Sequence, residues 1–130
     1  MYLTFGVLLT TGIGWLLLDW LVRVPGDFGP EHHPAEHWLL LFHGVVAYAF
    51  LIVAGTIIPA HLLPGWKIGR NLKSGVSLAA AFLLLTGTAL GLYYLTGDAS
   101  RSWVSIVHWS IGIAALPVLL VHALKGRRLT

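Results

Sequence analysis

Four long apolar segments constrain this chain more than any other feature of its sequence. They cover approximately residues 2–22, 38–58, 76–95 and 104–124. A helix needs about 20 apolar residues to cross the hydrocarbon core of a bilayer, because each residue adds about 1.5 Å. In lipid the backbone polar groups must be bonded within the segment, which favours the helix. The sequence therefore predicts an all-α membrane protein, an up-down bundle of four transmembrane helices in a single domain.

The composition of the chain agrees with this class of protein. It is 57% hydrophobic and 10% charged, whereas soluble domains carry about 25% charged residues. In a membrane protein the excess of basic residues is a topology signal, so we expect no nucleic-acid partner. The absence of cysteine excludes disulfides, cysteine-bound iron–sulfur clusters and haem attached through C-x-x-C-H. A soluble enzyme is excluded by the same composition.

The basic residues predict how the chain crosses the membrane. Loops are predicted over residues 23–37, 59–74 and 96–102. Most of the basic residues lie in the second loop or the C-terminal tail, namely Lys67, Arg70, Lys73, Lys125, Arg127 and Arg128. Because cytoplasmic segments carry the excess of Lys and Arg, we expect a multi-pass protein of the inner (cytoplasmic) membrane. Both termini would be cytoplasmic, and the first loop would face the outside.

The predicted spans contain three histidines, and a fourth, His61, closely follows the second span. The last apolar segment carries His108 and His122 and no other ionisable residue. A histidine at membrane depth is costly and needs a partner or a function. The spacing of this pair returns the two rings to nearly one face, roughly 21 Å apart along the helix. His43 in the second segment and His61 just beyond it are separated by five helical turns, so they share a face as well.

The predicted topology pairs these histidines by depth. Helices two and four are parallel, so His43 lies level with His108 near the outer surface, and His61 with His122 near the cytoplasmic surface. Neutral imidazole is an axial ligand of haem iron, and a helix bundle can hold haem in its core. The sequence thus predicts two bis-histidine haems. The inner one depends on Pro59, which we expect to end or bend helix two before His61. Hydroxyls that could orient the rings include those of Thr56, Ser105 and Ser110.

This pattern resembles the dihaem membrane cytochromes b, the four-helix b-type subunits of respiratory and quinone-linked oxidoreductases. In that family two helices each donate two histidines, at the spacing of His108 and His122. The other two helices carry glycines where porphyrin passes, and the candidates here are Gly6, Gly12, Gly14, Gly75, Gly87 and Gly91. The resemblance implies an electron-transfer subunit rather than a complete enzyme, with two haems b and quinone. It also implies partner subunits, such as a c-type cytochrome or an iron–sulfur subunit on the outer face.

Three other functions stay open at this point. A single-haem cytochrome would use only His43 and His108. A haem-free scaffold or assembly subunit would satisfy its histidines with hydrogen bonds between helices. A small transporter or proton channel would use them along a wet path, although few polar residues accompany them.

The first predicted loop and its flanks carry further ionisable residues. His32, His33 and His37 either are solvated or bind a metal or a haem propionate, and we favour solvation. Asp19 is expected to pair with Arg23, four residues later on the same helix. The alternative for Asp19 is to accept a proton beside an outer quinone site.

Overall fold

The computed structural model describes residues 1–69 and 71–127. Its elements are α1 Tyr2–Leu21, β1 Arg23–Gly26, β2 Gly29–His32, α2 Ala35–Ile57, a π-helical turn Ile58–Leu62, α3 Leu63–Ile68, α4 Leu72–Tyr94 and α5 Asp98–Arg127. Four helical segments are long and apolar enough to cross a membrane, namely Tyr2–Leu21, Ala35–Ile68, Leu72–Tyr94 and Asp98–Gly126. The prediction of an all-α chain with four transmembrane helices is confirmed, and the protein is a multi-pass membrane protein. Its contacts divide it into two compact units, residues 1–59 and 60–130.

In the first unit α1 packs antiparallel against α2. Thr11 contacts His43, while Gly14, about one turn later on α1, faces Leu39, one turn earlier on α2. The buried apolar side chains of this unit are Phe5, Leu16 and Phe50. Most of its other large apolar side chains are exposed, as expected for helices whose outer faces meet lipid.

A short β-hairpin joins α1 to α2 in the first predicted loop. Its strands pair antiparallel, with Arg23 opposite His32. Gly29 follows the turn with a φ of +125°, a conformation that residues with a side chain rarely adopt. The loop prediction is therefore wrong in part, because this segment forms a strand pair and α2 already begins at Ala35.

In the second unit α4 packs antiparallel against α5. Ser74 contacts His122 near one end of the pair, and Gly91 faces Val104 near the other end. The buried side chains of these two helices include Leu78, Ala115 and Leu119. Because α5 begins at Asp98, the connection between the helices is shorter than the third predicted loop.

The second predicted loop is mostly helical. The π-helical turn Ile58–Leu62 leads into α3, Leu63–Ile68, and Gly69 ends α3 in the left-handed conformation with a φ of +75°. In a regular α-helix the ring of Pro59 would clash with the carbonyl of the residue four positions earlier, and the wider turn accommodates it. Pro59 therefore does not end the helical segment, and His61 lies on a helical turn rather than in a loop.

Candidate functional site

Three of the four predicted ligand histidines share one local arrangement, which we call the hydroxyl–imidazole pair. In each pair the Nδ1 atom of the ring lies at hydrogen-bond distance from a hydroxyl on the preceding long helix of the same unit. The pairs are His43 with Thr11 at 2.9 Å, His108 with Thr88 at 2.8 Å, and His122 with Ser74 at 2.9 Å. All three rings are partly buried. The same contact thus occurs once in the first unit and twice in the second.

The hydroxyl of each pair also contacts the backbone of its own helix. Ser and Thr hydroxyls in helices commonly donate to a carbonyl three or four residues earlier. The distances are 2.8 Å from Thr11 to Val7, 2.8 Å from Thr88 to Leu84, and 3.2 Å from Ser74 to Asn71. A hydroxyl has one proton, so an oxygen that donates to the carbonyl can only accept from the imidazole.

This arrangement selects the tautomer of the rings. When the hydroxyl donates to the carbonyl and Nδ1–H donates to the hydroxyl, both hydrogen bonds form. When the hydroxyl donates to Nδ1, the backbone contact carries no proton and one bond is lost. Each net bond contributes about 0.5–1.5 kcal/mol, so the first arrangement is favoured. In that arrangement the proton lies on Nδ1, and Nε2 carries the lone pair that can bind a metal.

A glycine directly follows the hydroxyl residue in two of the pairs. A Cβ at Gly12 would lie 3.5 Å from Cε1 of His43, and a Cβ at Gly75 would lie 3.5 Å from Cε1 of His122. A methyl group would fit at this distance, but a longer side chain would extend over the ring edge that joins Nδ1 to Nε2. At these two positions glycine or alanine therefore leaves the Cε1 edge of the imidazole uncovered by the preceding helix.

The other glycines considered for porphyrin contact fall into two groups. Gly14 and Gly91 face apolar side chains of the neighbouring helix and serve close helix packing. A Cβ at Gly6 or Gly87 would meet no atom of the described residues within 4 Å. Thus Gly12 and Gly75 are the candidates that lie against a predicted ligand.

His61 differs from the other three histidines. It is exposed on the π-helical turn, and its ring centroid lies 5.9 Å from that of His122, with the ring planes at 85°. Two imidazoles that bind opposite sides of one metal ion at about 2.0–2.1 Å have centroids roughly 6 Å apart. The structure therefore brings together the predicted inner pair at a separation compatible with a shared ion. His43 and His108 belong to different units, and their pairing stays a prediction.

The hydroxyl partners were missed at the sequence level. The hydroxyls considered there were on the histidines' own helices, whereas Thr11, Ser74 and Thr88 lie on the preceding ones. Thr56, one of the earlier candidates, donates to the carbonyl of Val53 instead. A hydroxyl residue next to a glycine, as in Thr11–Gly12, Ser74–Gly75 and Gly87–Thr88, was the available signal.

A second constellation, which we call the hairpin cluster, comprises Asp19, Arg23, His32 and Glu36 of the first unit. His32 Nδ1 lies 2.8 Å from Nη1 of Arg23, 3.0 Å from Oε2 of Glu36 and 3.3 Å from Oδ1 of Asp19. Glu36 is buried, and its Oε1 accepts a hydrogen bond from the backbone of His33. Arg23, which was expected to pair with Asp19, instead contacts His32 and Glu36.

Comparison of the chain with protein-family models, with curated proteins and with solved structures gave no match. The arrangement of histidines, hydroxyls and glycines within each unit is therefore the feature from which a function can be inferred.

Proposed function

We propose that this chain is a b-type cytochrome, a transmembrane electron-transfer subunit that carries two bis-histidine haems within a larger redox complex. His43 and His108 would bind the outer haem iron, and His61 and His122 the inner one. The hydroxyl–imidazole pair is the observation that supports this proposal most. A histidine ligand normally donates its other ring N–H to a nearby acceptor, and three of the four predicted ligands have such an acceptor.

When bound, haem supplies one-electron redox chemistry, and the protein tunes its potential. The residues of this chain orient the ligand rings. The hydroxyl of Thr88 accepts the Nδ1–H of His108, which holds the ring in one plane and increases the basicity of Nε2. A more basic ligand would stabilise ferric iron, so the three hydroxyls would lower the midpoint potential of a bound haem. His61 has no such hydroxyl among its described contacts, and its ring is positioned by the π-helical turn.

We assign the protein to the inner (cytoplasmic) membrane, with both termini in the cytoplasm, on the basis of its basic residues. Lys67, Lys73 and Lys125 are exposed, while Arg70 and Arg128 lie outside the described residues. Quinone would exchange with the chain from the surrounding lipid. A c-type cytochrome or an iron–sulfur subunit would dock on the outer face as the redox partner of the outer haem.

The same hydrogen bonds also favour a second function, that of a haem-free scaffold subunit. Hydroxyl–imidazole bonds between helices satisfy a membrane histidine without any cofactor. The two functions differ in haem content and in the effect of His61, which has no hydroxyl partner among the described residues and would contribute little to a scaffold.

The test is a pyridine haemochrome assay with reduced-minus-oxidised spectra on the detergent-purified full chain, produced with haem supplied during expression. We expect two b haems per chain. His61→Ala and His122→Ala should each leave one, whereas His37→Ala, an exposed histidine on α2, should leave both. One haem that His61→Ala leaves unchanged would support the single-haem alternative. A folded chain without haem would refute the proposal in favour of the scaffold.

A further inference from the structure

We propose that the hairpin cluster is a binding site for a divalent transition-metal cation of the Zn²⁺ type, with Asp19, His32 and Glu36 as ligands. This site lies entirely within the first unit and uses none of the four histidines assigned to haem. The inference is therefore independent of the proposed cytochrome function.

The three ligand residues come from three different elements and converge at one place. Asp19 lies near the end of α1, His32 ends β2, and Glu36 lies in the first turn of α2. One ligand atom from each lies within 4.8 Å of the other two. The distances from Nδ1 of His32 to the carboxylate oxygens are 3.0 and 3.3 Å. Ligand atoms around one tetrahedral ion at about 2.0–2.2 Å lie roughly 3.3–3.6 Å apart, which is close to these two distances.

No placement of protons satisfies all the contacts of His32 Nδ1. Arginine can only donate, so the Nη1 contact of Arg23 at 2.8 Å requires a lone pair on Nδ1. That lone pair then faces the oxygen of Glu36 at 3.0 Å and the oxygen of Asp19 at 3.3 Å. A proton on Nδ1 would satisfy the carboxylates but would oppose the guanidinium N–H. A cation held between Nδ1 and the two carboxylate oxygens would bind all three of these atoms, while Arg23 would have to leave Nδ1.

The positively charged guanidinium of Arg23 lies beside these ligand atoms. The cluster contains two carboxylates and one guanidinium, so it keeps a negative charge when His32 is neutral. The side chain of Arg23 is 44% exposed and can turn toward solvent when a metal ion binds. We therefore infer that Arg23 and the metal ion compete for Nδ1 of His32.

The chemistry of the ligands selects the class of ion. Imidazole suits Zn²⁺ and neighbouring transition metals, whereas Mg²⁺ and Ca²⁺ prefer sites made of oxygen ligands. Three protein ligands also leave a fourth position of a tetrahedral ion for water or another donor. Such a site would fasten the hairpin to the adjacent ends of α1 and α2.

Isothermal titration of the tag-free full chain in detergent with ZnCl₂ tests this proposal, with MgCl₂ as the control ion. We expect His32→Ala to lose one bound Zn²⁺ per chain or to weaken that binding by about tenfold or more. His37→Ala is the matched exposed histidine and should bind Zn²⁺ like the wild type. Arg23→Gln should bind Zn²⁺ more tightly, because the competing guanidinium is gone.

Circular dichroism of each variant checks that the helices are retained, and Arg23→Gln keeps the test valid even when a ligand variant fails to fold. Equal Zn²⁺ binding by wild type and His32→Ala would overturn the proposal. Unchanged or weaker binding by Arg23→Gln would overturn it too, since removal of the competing cation must favour the metal. Comparable binding of Mg²⁺ at the same residues would show that the assigned class of ion is wrong.

Discussion

Replacing Thr88 with valine tests the hydroxyl–imidazole pairs most directly. Valine nearly keeps the shape of threonine but removes the oxygen that lies 2.8 Å from Nδ1 of His108. The lost hydrogen bond is worth about 0.5–1.5 kcal/mol in general, and about 0.6 kcal/mol between membrane helices. We therefore expect the free energy of unfolding to fall by about 1 kcal/mol.

The larger effect of Thr88→Val should be on the cofactor. Loss of a hydrogen bond to the second nitrogen of a ligating histidine lowers metal affinity by about 10–100-fold. Ferric haem should lose more affinity than ferrous haem, because it depends more on a basic ligand. For each tenfold by which the loss of ferric affinity exceeds the loss of ferrous affinity, the midpoint potential rises by about 59 mV. We expect an upward shift of up to about 60 mV for one of the two haems, measured by spectroelectrochemical titration.

Thr86→Val provides the matched control for this experiment. Thr86 lies on the same helix, and its hydroxyl donates to the Phe82 carbonyl at 2.8 Å rather than to a histidine. This variant should leave haem affinity and both potentials unchanged. If Thr88→Val and Thr86→Val behave alike in both measurements, the assigned role of the hydroxyl is refuted.

Three further predictions concern packing and backbone geometry. Ala115→Leu should lower the melting temperature in detergent, because Ala115 is 2% exposed and overpacking costs about 1–3 kcal/mol. The control Ala114→Leu, at an exposed neighbouring position, should leave the melting temperature nearly unchanged. Gly75→Leu should reduce haem content by covering the ring of His122, whereas Gly75→Ala should retain it, since the added Cβ would lie 3.5 Å away. Gly29→Ala should speed hydrogen exchange of the hairpin amides, because a side chain at a φ of +125° costs about 1–3 kcal/mol.

The sequence was sufficient to predict the transmembrane helices because their signal is local. Each is a run of about 20 apolar residues, and a lipid environment permits little else for such a run. The expectation that imidazoles bond to hydroxyls was also correct in kind for His43, His108 and His122. Which hydroxyls these imidazoles contact depends on how two helices face each other. The residue periodicity of one helix does not show which residues of another helix lie opposite it.

The π-helical turn and the hairpin were not predictable by the same reasoning. A proline such as Pro59 normally signals the end or a kink of a helix. Here the helix passes through one wider, π-helical turn and then continues. The hairpin strands, Arg23–Gly26 and Gly29–His32, contain proline and glycine and only one β-branched residue, so β-propensity gives no strand signal.

The hydroxyl–imidazole pairs have a consequence for the order of assembly. Each pair forms within one helical unit, so the orientation of these rings is set by folding of the polypeptide and not by the cofactor. Under the proposed function, the apoprotein would insert and fold first, with three ligands already in the required tautomer. Haem uptake would then be a late maturation step with a small reorganisation penalty, and chains made during haem shortage could be loaded afterwards.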